Sequence, residues 1–264
     1  MTFIEKIRSA QFKTNSKLCI GLDTALASVP EFLLNEANPV LTFNKAIIDA
    51  TKDIVCAYKP NAAYYEAYGV KGFEALEATL NYIPSEIFTI ADIKRGDIGA
   101  TSDQYATAYQ ENLPFDSITI SPYMGTDSIE SFLKRDDRGV FFLGLTSNQG
   151  AKDFQYLELK SGKKLYEEVT DKVCEWNRQK ANCGLVVGAT KPSELKALRE
   201  RAPELPFLIP GIGAQGGSIE EVLQANGEGI AIINVSRAVC GASKGKDFAE
   251  AARAAAMKLV ESMR

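Results

Sequence analysis

The chain contains no histidine. That removes Ser-His-Asp and Cys-His triads, histidine metal sites and the side chain that most often moves protons near neutral pH. Any proton transfer must fall to Lys, Asp, Glu, Tyr or Cys. Cysteine is scarce as well: Cys19, Cys56, Cys174, Cys183 and Cys240 are odd in number and widely spaced, with no C-x-x-C pair. Neither a zinc site nor a disulfide framework is indicated, and no metal is expected. Cys19, Cys56 and Cys183 lie in or beside apolar runs, where a thiol is usually a small buried hydrophobe. A reducing cytoplasm suits this usage. Long apolar runs are missing too. The longest are strand-sized, such as Ile230-Ala231-Ile232-Ile233, far short of the roughly 20 residues that span a bilayer, so no membrane partner is expected. The opening MTFIEKIRSAQFK lacks the apolar core of a signal peptide. It reads instead as an amphipathic helix with Phe3, Ile4 and Ile7 on one face. Nor is there an excess of positive charge: the formal net charge is -4, so no nucleic-acid partner is expected.

What is present is an alternation. Apolar strand patterns recur at Lys17–Leu22, Ile54–Tyr58, Ile87–Ala91, Ser117–Ile120, Val140–Leu145, Gly184–Val187, Phe207–Ile209 and Ile230–Val235. Helical patterns lie between them. Asn38 followed by Pro39 is an N-cap with proline at the first helical position, leading into Val40, Phe43, Ile47 and Ile48 at helical spacing. Phe73, Leu76 and Leu80 repeat the spacing before Pro84 stops the helix. Tyr105 and Tyr109 suggest a short helix, and Asp127 with Glu130 a capping box ahead of Phe132 and Leu133. Further stripes run through Leu165, Val169, Val173 and Trp176, then Leu195 and Leu198, then Ile219, Val222 and Leu223. An alanine-rich helix around Phe248 to Met263 closes the chain. Eight strand–helix alternations predict an α/β fold of the (β/α)8 TIM-barrel type. An open doubly wound sheet is the main alternative, but no G-x-G-x-x-G follows the first strand. With no linker or composition break, residues 1–264 read as one barrel domain whose amino-terminal helix caps the barrel. The longest irregular stretch, Thr146 to Lys163, is of the kind that often carries function.

In such a barrel the active site forms at the carboxyl ends of the strands, and the polar groups gather there. Asp23 follows the first strand, Lys59-Pro60-Asn61 the second, Ser121-Pro122-Tyr123 the fourth, Thr146-Ser147-Asn148 the fifth, Gly188-Ala189-Thr190 the sixth and Asn234-Val235-Ser236-Arg237 the eighth. The most concentrated stretch is IFTIADIKRGDIGAT, Ile87 to Thr101. Asp92 and Lys94 leave a hydrophobic strand two residues apart, a spacing that puts them on one face. Asp97 follows between Gly96 and Gly99. Burying such charges is costly unless they are paired or do chemistry, and a structural ion pair at a strand end is the plain alternative. After the seventh strand, GIGAQGG supplies backbone N–H groups at close approach. Loops after strands seven and eight commonly hold phosphate in this barrel, and Arg237 could grip it through two hydrogen bonds. A phosphorylated small-molecule substrate is expected.

D-I-K-R-G-D-I-G-A-T, together with K-P-N, V-V-G-A-T, P-G-I-G-A-Q-G-G and the S-R after strand eight, resembles the orotidine 5'-phosphate decarboxylase family. A-Y-K-P-N, S-P-Y-M-G and T-S-N resemble its longer bacterial (type 2) branch. The likeness runs from Leu18 to about Arg237. D-x-K-x-x-D alone is shared with related phosphosugar decarboxylases and synthases. The resemblance implies decarboxylation of orotidine 5'-monophosphate to uridine 5'-monophosphate and carbon dioxide, the last step of de novo pyrimidine nucleotide synthesis, with no cofactor. It implies a catalytic array of Lys59, Asp92, Lys94 and Asp97, and a homodimer in which Asp97 and Thr101 reach the partner's site. Asp23 takes the family's ribose contact, Ser147 its pyrimidine contact, and Gln215 and Arg237 its phosphate clamp. Ser236 stands where many relatives have glycine. The loop from Gln149 to Lys163 acquires no role.

The expected mechanism is electrostatic. Loss of carbon dioxide leaves negative charge on a ring carbon, which the protein must stabilise. Lys94 offers its ammonium and then its proton, while Asp92 crowds the departing carboxylate. Phosphate binding would help close the Gly211–Gly217 loop, so that remote binding energy supports the chemical step. Three rivals share the scaffold. A magnesium-stabilised enediolate enzyme could use the same aspartates as ligands. A Schiff-base aldolase could use Lys59 or Lys94, although flanking carboxylates raise a lysine's pKa. A silent nucleotide-binding barrel would bind without turnover.

Overall fold

The computed structural model describes residues 1–213 and 216–264 of the chain. Eight strands hydrogen-bond in sequence order and close into a barrel: β1 Leu18–Leu22, β2 Ala57–Pro60, β3 Phe88–Arg95, β4 Ser117–Ile120, β5 Gly139–Leu145, β6 Cys183–Val187, β7 Phe207–Pro210 and β8 Ala231–Val235. The pairings are parallel, as at Cys19↔Ala57 and Val140↔Cys183. Strands buried on both faces read as continuous apolar runs instead of alternating ones, and β1 (LCIGL) and β6 (CGLVV) are buried at every position. The helices are α1 Phe3–Thr14, α2 Pro39–Thr51, α3 Ala62–Glu66, α4 Gly69–Tyr82, α5 Gly99–Ala106, α6 Ala151–Phe154, α7 Leu165–Lys180, α8 Pro192–Arg201, α9 Ile219–Asn226, α10 Arg237–Cys240 and α11 Phe248–Ser262. None of the described helices is long and apolar enough to cross a membrane.

Contacts cluster into two compact units, Met1–Lys6 with Lys94–Ile233, and Ile7–Ile93 with Asn234–Arg264. In the first, the Phe3 ring lies edge-on to Phe141, with centroids 5.6 Å apart. It fills the space where Gly139 has no Cβ. Lys6 donates to Asp116 at 2.8 Å, just ahead of β4. The first turns of α1 therefore sit at the amino ends of β4 and β5. Trp176 of α7 packs on Phe142 of β5 at 5.1 Å. In the second unit, Phe43 of α2 stacks on Phe248 of α11 at 5.2 Å. Asn38 accepts from the Leu41 N–H at 3.1 Å, and Pro39 occupies the first helical position, so this helix begins as its sequence indicates.

Two segments depart from expectation. No α-helix follows β4. Thr126–Ser128 and Glu130–Leu133 are 3-10 turns without a side-chain cap, so Asp127 and Glu130 form no capping box. The Ser128 hydroxyl donates to Gly125 O at 2.7 Å and closes the turn before a helix can propagate. β3 also runs on to Arg95, beyond its apolar section. Asn61 bridges Asp92, and the Ser121 N–H donates to Arg95 O at 2.9 Å, so backbone pairing continues after the hydrophobic pattern stops.

Candidate active site

In the unit formed by Ile7–Ile93 and Asn234–Arg264, the polar groups gather at the carboxyl ends of β1, β2, β3 and β8. Lys59 Nζ donates to Asp92 Oδ2 at 2.7 Å, with the two residues only 4% and 8% exposed. Burial alone would push the ammonium's pKa down. The Asp92 and Asp23 carboxylates outweigh that, and Lys59 stays protonated with its pKa above the ordinary value. Asp23 Oδ1 is buried without a hydrogen-bond partner among the described residues. A desolvated carboxylate oxygen is costly to leave so, and a ligand hydroxyl would satisfy it.

A buried polar network holds Asp23 in place. Thr24 donates to Asn44 Oδ1 at 2.7 Å, and Asn44 Nδ2 donates to the Tyr65 hydroxyl at 2.9 Å and to Thr79 Oγ1 at 3.0 Å. Tyr65 in turn donates to Leu22 O at 3.1 Å. The residues on either side of Asp23 are thus tied to α2, α3 and α4. An unsatisfied buried amide costs about 1–3 kcal/mol, a cost these bonds remove. The clue in the sequence is Asn44, a polar residue inside the apolar stripe of Val40, Phe43, Ile47 and Ile48.

At the end of β8, Ser236 lies against Gly21, where a Cβ on residue 21 would collide with its hydroxyl. Gly21 is what lets a serine occupy this position. Arg237 begins α10, is exposed, and has no side-chain partner among the described residues. Asp23, Tyr64, Ser236 and Arg237 all line a cavity of about 220 Å³.

In the unit formed by Met1–Lys6 and Lys94–Ile233, Lys94 is exposed and its N–H donates to Thr119 Oγ1 at 3.0 Å. Its φ is 48°, so the strand alternation that would set its direction from Asp92 does not extend to it. A non-glycine residue held in this region costs of order 1–3 kcal/mol and persists only where surrounding structure imposes it, often at functional sites. Asp97 is half-buried. Its Oδ1 accepts from the Ile98 N–H at 2.8 Å, and its carbonyl accepts from Ser102 Oγ. Burial is therefore confined to Lys59 and Asp92 within the charge array. Thr101 is exposed on α5.

Ser147 lies two residues after the end of β5 and packs on Gly188, where an added Cβ would lie 2.9 Å from the serine's Cβ and N. After β7, Gly211, Gly213 and Gly216 have φ of 108°, 71° and 90°, a conformation that favours glycine. The Gly216 N–H donates to Gly213 O at 2.8 Å, and Ile212 bridges Gly217. Gln215 lies outside the described residues. Among the described residues no group of three or more His, Cys, Asp or Glu is arranged for a metal ion.

Residues 16–255 match the family described as orotidine 5'-phosphate decarboxylase / HUMPS family. The chain is 53% identical over 252 residues to an orotidine 5'-phosphate decarboxylase of Herpetosiphon aurantiacus, covering 95% of this chain and 94% of that one. It is 47% identical over 264 residues to that of Flavobacterium johnsoniae, covering 98% and 96%. The structure of Leishmania donovani OMP decarboxylase superposes with a TM-score of 0.86 at 39% identity, covering 100% of this chain and 98% of that one.

Proposed function

Because the chain belongs to the orotidine 5'-phosphate decarboxylase / HUMPS family, we propose that it converts orotidine 5'-monophosphate to uridine 5'-monophosphate and carbon dioxide, the last step of making pyrimidine nucleotides de novo. The observation that carries the reading is the buried 2.7 Å Lys59–Asp92 pair between β2 and β3, followed two residues later in the chain by the strained Lys94.

In the reaction the bond between the ring carbon and the carboxylate carbon breaks, and its electron pair stays on the ring. The Lys94 ammonium stabilises that charge and then donates a proton to the carbon. It is left as a neutral amine that solvent reprotonates. A cation already aimed at the developing charge acts without reorganising at the moment of reaction. The Asp92 and Asp23 carboxylates favour the charged form of Lys59, the opposite of what the neutral amine of a Schiff base needs, which speaks against the aldolase reading. In this role it anchors the carboxylates, and Asp92 opposes the substrate's carboxylate. The unpartnered oxygen of Asp23 receives a ribose hydroxyl. Ser147 reads the pyrimidine, and Arg237, with Gln215 and the backbone near Ser236, receives the phosphate. No cofactor enters the scheme.

We further infer a homodimer in which Asp97 and Thr101 of one protomer complete the partner's site. Supporting it, Ile98 is 54% exposed beside Asp97, and Tyr123 and Met124 after β4 are 83% and 46% exposed, an apolar set that a second copy would cover. Free cysteines throughout suit the cytoplasm.

Lys94→Ala tests the mechanism. General acid catalysis contributes about 10²–10⁴-fold and the electrostatic role adds to it, so turnover should fall by about 10⁴-fold or more while uridine 5'-monophosphate still binds. Turnover within tenfold of the wild type would sink the assignment. Arg237→Ala should raise KM for the substrate about 10- to 100-fold, the loss of a charge-assisted contact, with kcat affected less. An unchanged KM would remove the phosphate role.

A further inference from the structure

The segment joining β5 to α7 is braced at several points, and one of its side chains turns back on the strand it leaves. Gln155 Oε1 accepts from the Thr146 N–H at 2.8 Å, and Gln155 Nε2 donates to Thr146 Oγ1 at 2.8 Å. The Thr146 hydroxyl donates in turn to Asn148 Oδ1 at 2.7 Å. One amide therefore satisfies both the backbone and the side chain of Thr146, and the hydroxyl carries the restraint across Ser147 to Asn148.

Gln155 is itself held. Its N–H donates to Ala151 O at 2.8 Å, and its carbonyl accepts from the Tyr166 N–H at 3.0 Å, tying it to the first turn of α7. The next residue, Tyr156, donates from its hydroxyl to Glu194 of α8 at 2.9 Å and meets the Tyr166 ring edge-on at 5.4 Å. The ammonium groups of Lys164 and Lys191 stand 5.3 Å and 5.5 Å from the Tyr156 ring centre. On the other side of Ser147, Gly188 donates its N–H to Leu145 O at 2.8 Å and leaves no room for a Cβ. The Ser147 turn is pressed onto the Gly188 backbone and clamped by the Gln155 side chain.

We propose that Gln155 is a positioning residue for the nucleotide base. By clamping Thr146 it fixes the Ser147 turn. The proposal rests on the reading above that Ser147 contacts the pyrimidine. It differs from general support of the fold in being specific to the base, since Gln155 acts on Thr146 and through it on the Ser147 turn.

Two ligands separate the possibilities: uridine 5'-monophosphate, which carries the base, and ribose 5-phosphate, which does not. Gln155→Leu should bind uridine 5'-monophosphate about 10- to 100-fold more weakly, the scale of two lost hydrogen bonds and a freed contact, with ribose 5-phosphate unchanged and KM for orotidine 5'-monophosphate raised. Gln155→Glu keeps an acceptor for the Thr146 N–H and should fall between Gln155→Leu and the wild type. It carries the same two-ligand comparison if the leucine variant does not fold. Ser147→Ala combined with Gln155→Leu should bind uridine 5'-monophosphate no worse than Ser147→Ala alone. Equal weakening of both ligands, unchanged affinity for uridine 5'-monophosphate, or full additivity with Ser147→Ala would overturn the proposal. Wild-type affinity in Ser147→Ala would remove the serine's role and this inference with it. Turnover by the wild type tests the overall activity independently of either outcome.

Discussion

Lys59 and Arg199 are both buried cations, and the molecule accommodates them in opposite ways. Lys59 meets a carboxylate at 2.7 Å, and its pKa is held above its ordinary value. Among the described residues Arg199 has only neutral oxygens as hydrogen-bond partners: Asn226 Oδ1 at 2.8 and 3.1 Å, and carbonyls of Ala202, Pro203, Leu205 and Ile230 at 2.6–3.5 Å. Its guanidinium lies 3.6 Å from the centre of the Phe207 ring and occupies the space that Gly229 leaves open. Burial pulls its pKa down to about 10. Arg199 ties the end of α8 to Asn226 of α9 and to the segments before β7 and β8. That is a fastening of backbone, with every donor directed at an acceptor and nothing left to meet a ligand. Lys59 lies in the unit that also holds Asp23, whose oxygen has no partner among the described residues. Burial of charge alone does not mark a catalytic site. Paired opposite charges beside an unmet polar atom do.

The contrast can be broken at either end. Lys59→Met should reduce kcat/KM about 10²–10³-fold, the loss expected from one preorganised electrostatic contact, because it removes the cation that organises Asp92 and Asp23. Steady-state kinetics on orotidine 5'-monophosphate will show this, and a change under tenfold would mean that Lys59 is structural like Arg199. Arg199→Met should do the reverse. It takes the guanidinium donors away from the buried acceptors Asn226 Oδ1 and Leu205 O and should lower stability by about 3 kcal/mol, read by urea unfolding, while kcat of the folded protein is kept. A large fall in kcat without loss of stability would contradict the fastening role.

The smallest effect is in pH. Burial pushes the thiols of Cys56, Cys183 and Cys240 up to about 12 from 9.0. A group whose pKa is raised on folding favours the folded state below its unfolded value, and that contribution is lost as pH climbs toward the folded value. Stability should therefore hold below pH 9 and decline between 9 and 12, by at most about 1.4 kcal/mol per pH unit for each thiol. Replacing Cys56 and Cys183 with alanine should flatten the decline in Tm over that range. An unchanged slope would show that other groups set it.

The barrel is legible in the chain because each strand is an apolar run closed by polar residues. The strand ends fall within a few residues of their expected positions. β3 is the instructive exception. Its apolar pattern stops at Ala91, while backbone pairing through Asn61 and Ser121 carries it to Arg95. The i, i+2 rule for Asp92 and Lys94 presumes extended backbone, and the φ of 48° at Lys94 is set by tertiary surroundings that sequence spacing does not encode. Asp23, Lys59, Asp92, Ser236 and Arg237 lie near the strand ends where their type and place in the sequence put candidates. The hydrogen bonds of Asn44 and Gln155 were not legible, because side-chain pairings such as Asn44–Tyr65 and Gln155–Thr146 appear only in three dimensions. Asp127 and Glu130 show the opposite failure: a sound local capping signal lost to a 3-10 turn closed by Ser128.

The central claim is that this chain decarboxylates orotidine 5'-monophosphate by protein electrostatics alone. Its most direct test is the loss of orotate absorbance after mixing purified protein with the substrate, in parallel with and without EDTA, with the product identified by chromatography. The account predicts equal rates in both and uridine 5'-monophosphate as the product. Intact substrate alongside clear binding of uridine 5'-monophosphate, or a rate abolished by the chelator, would contradict it.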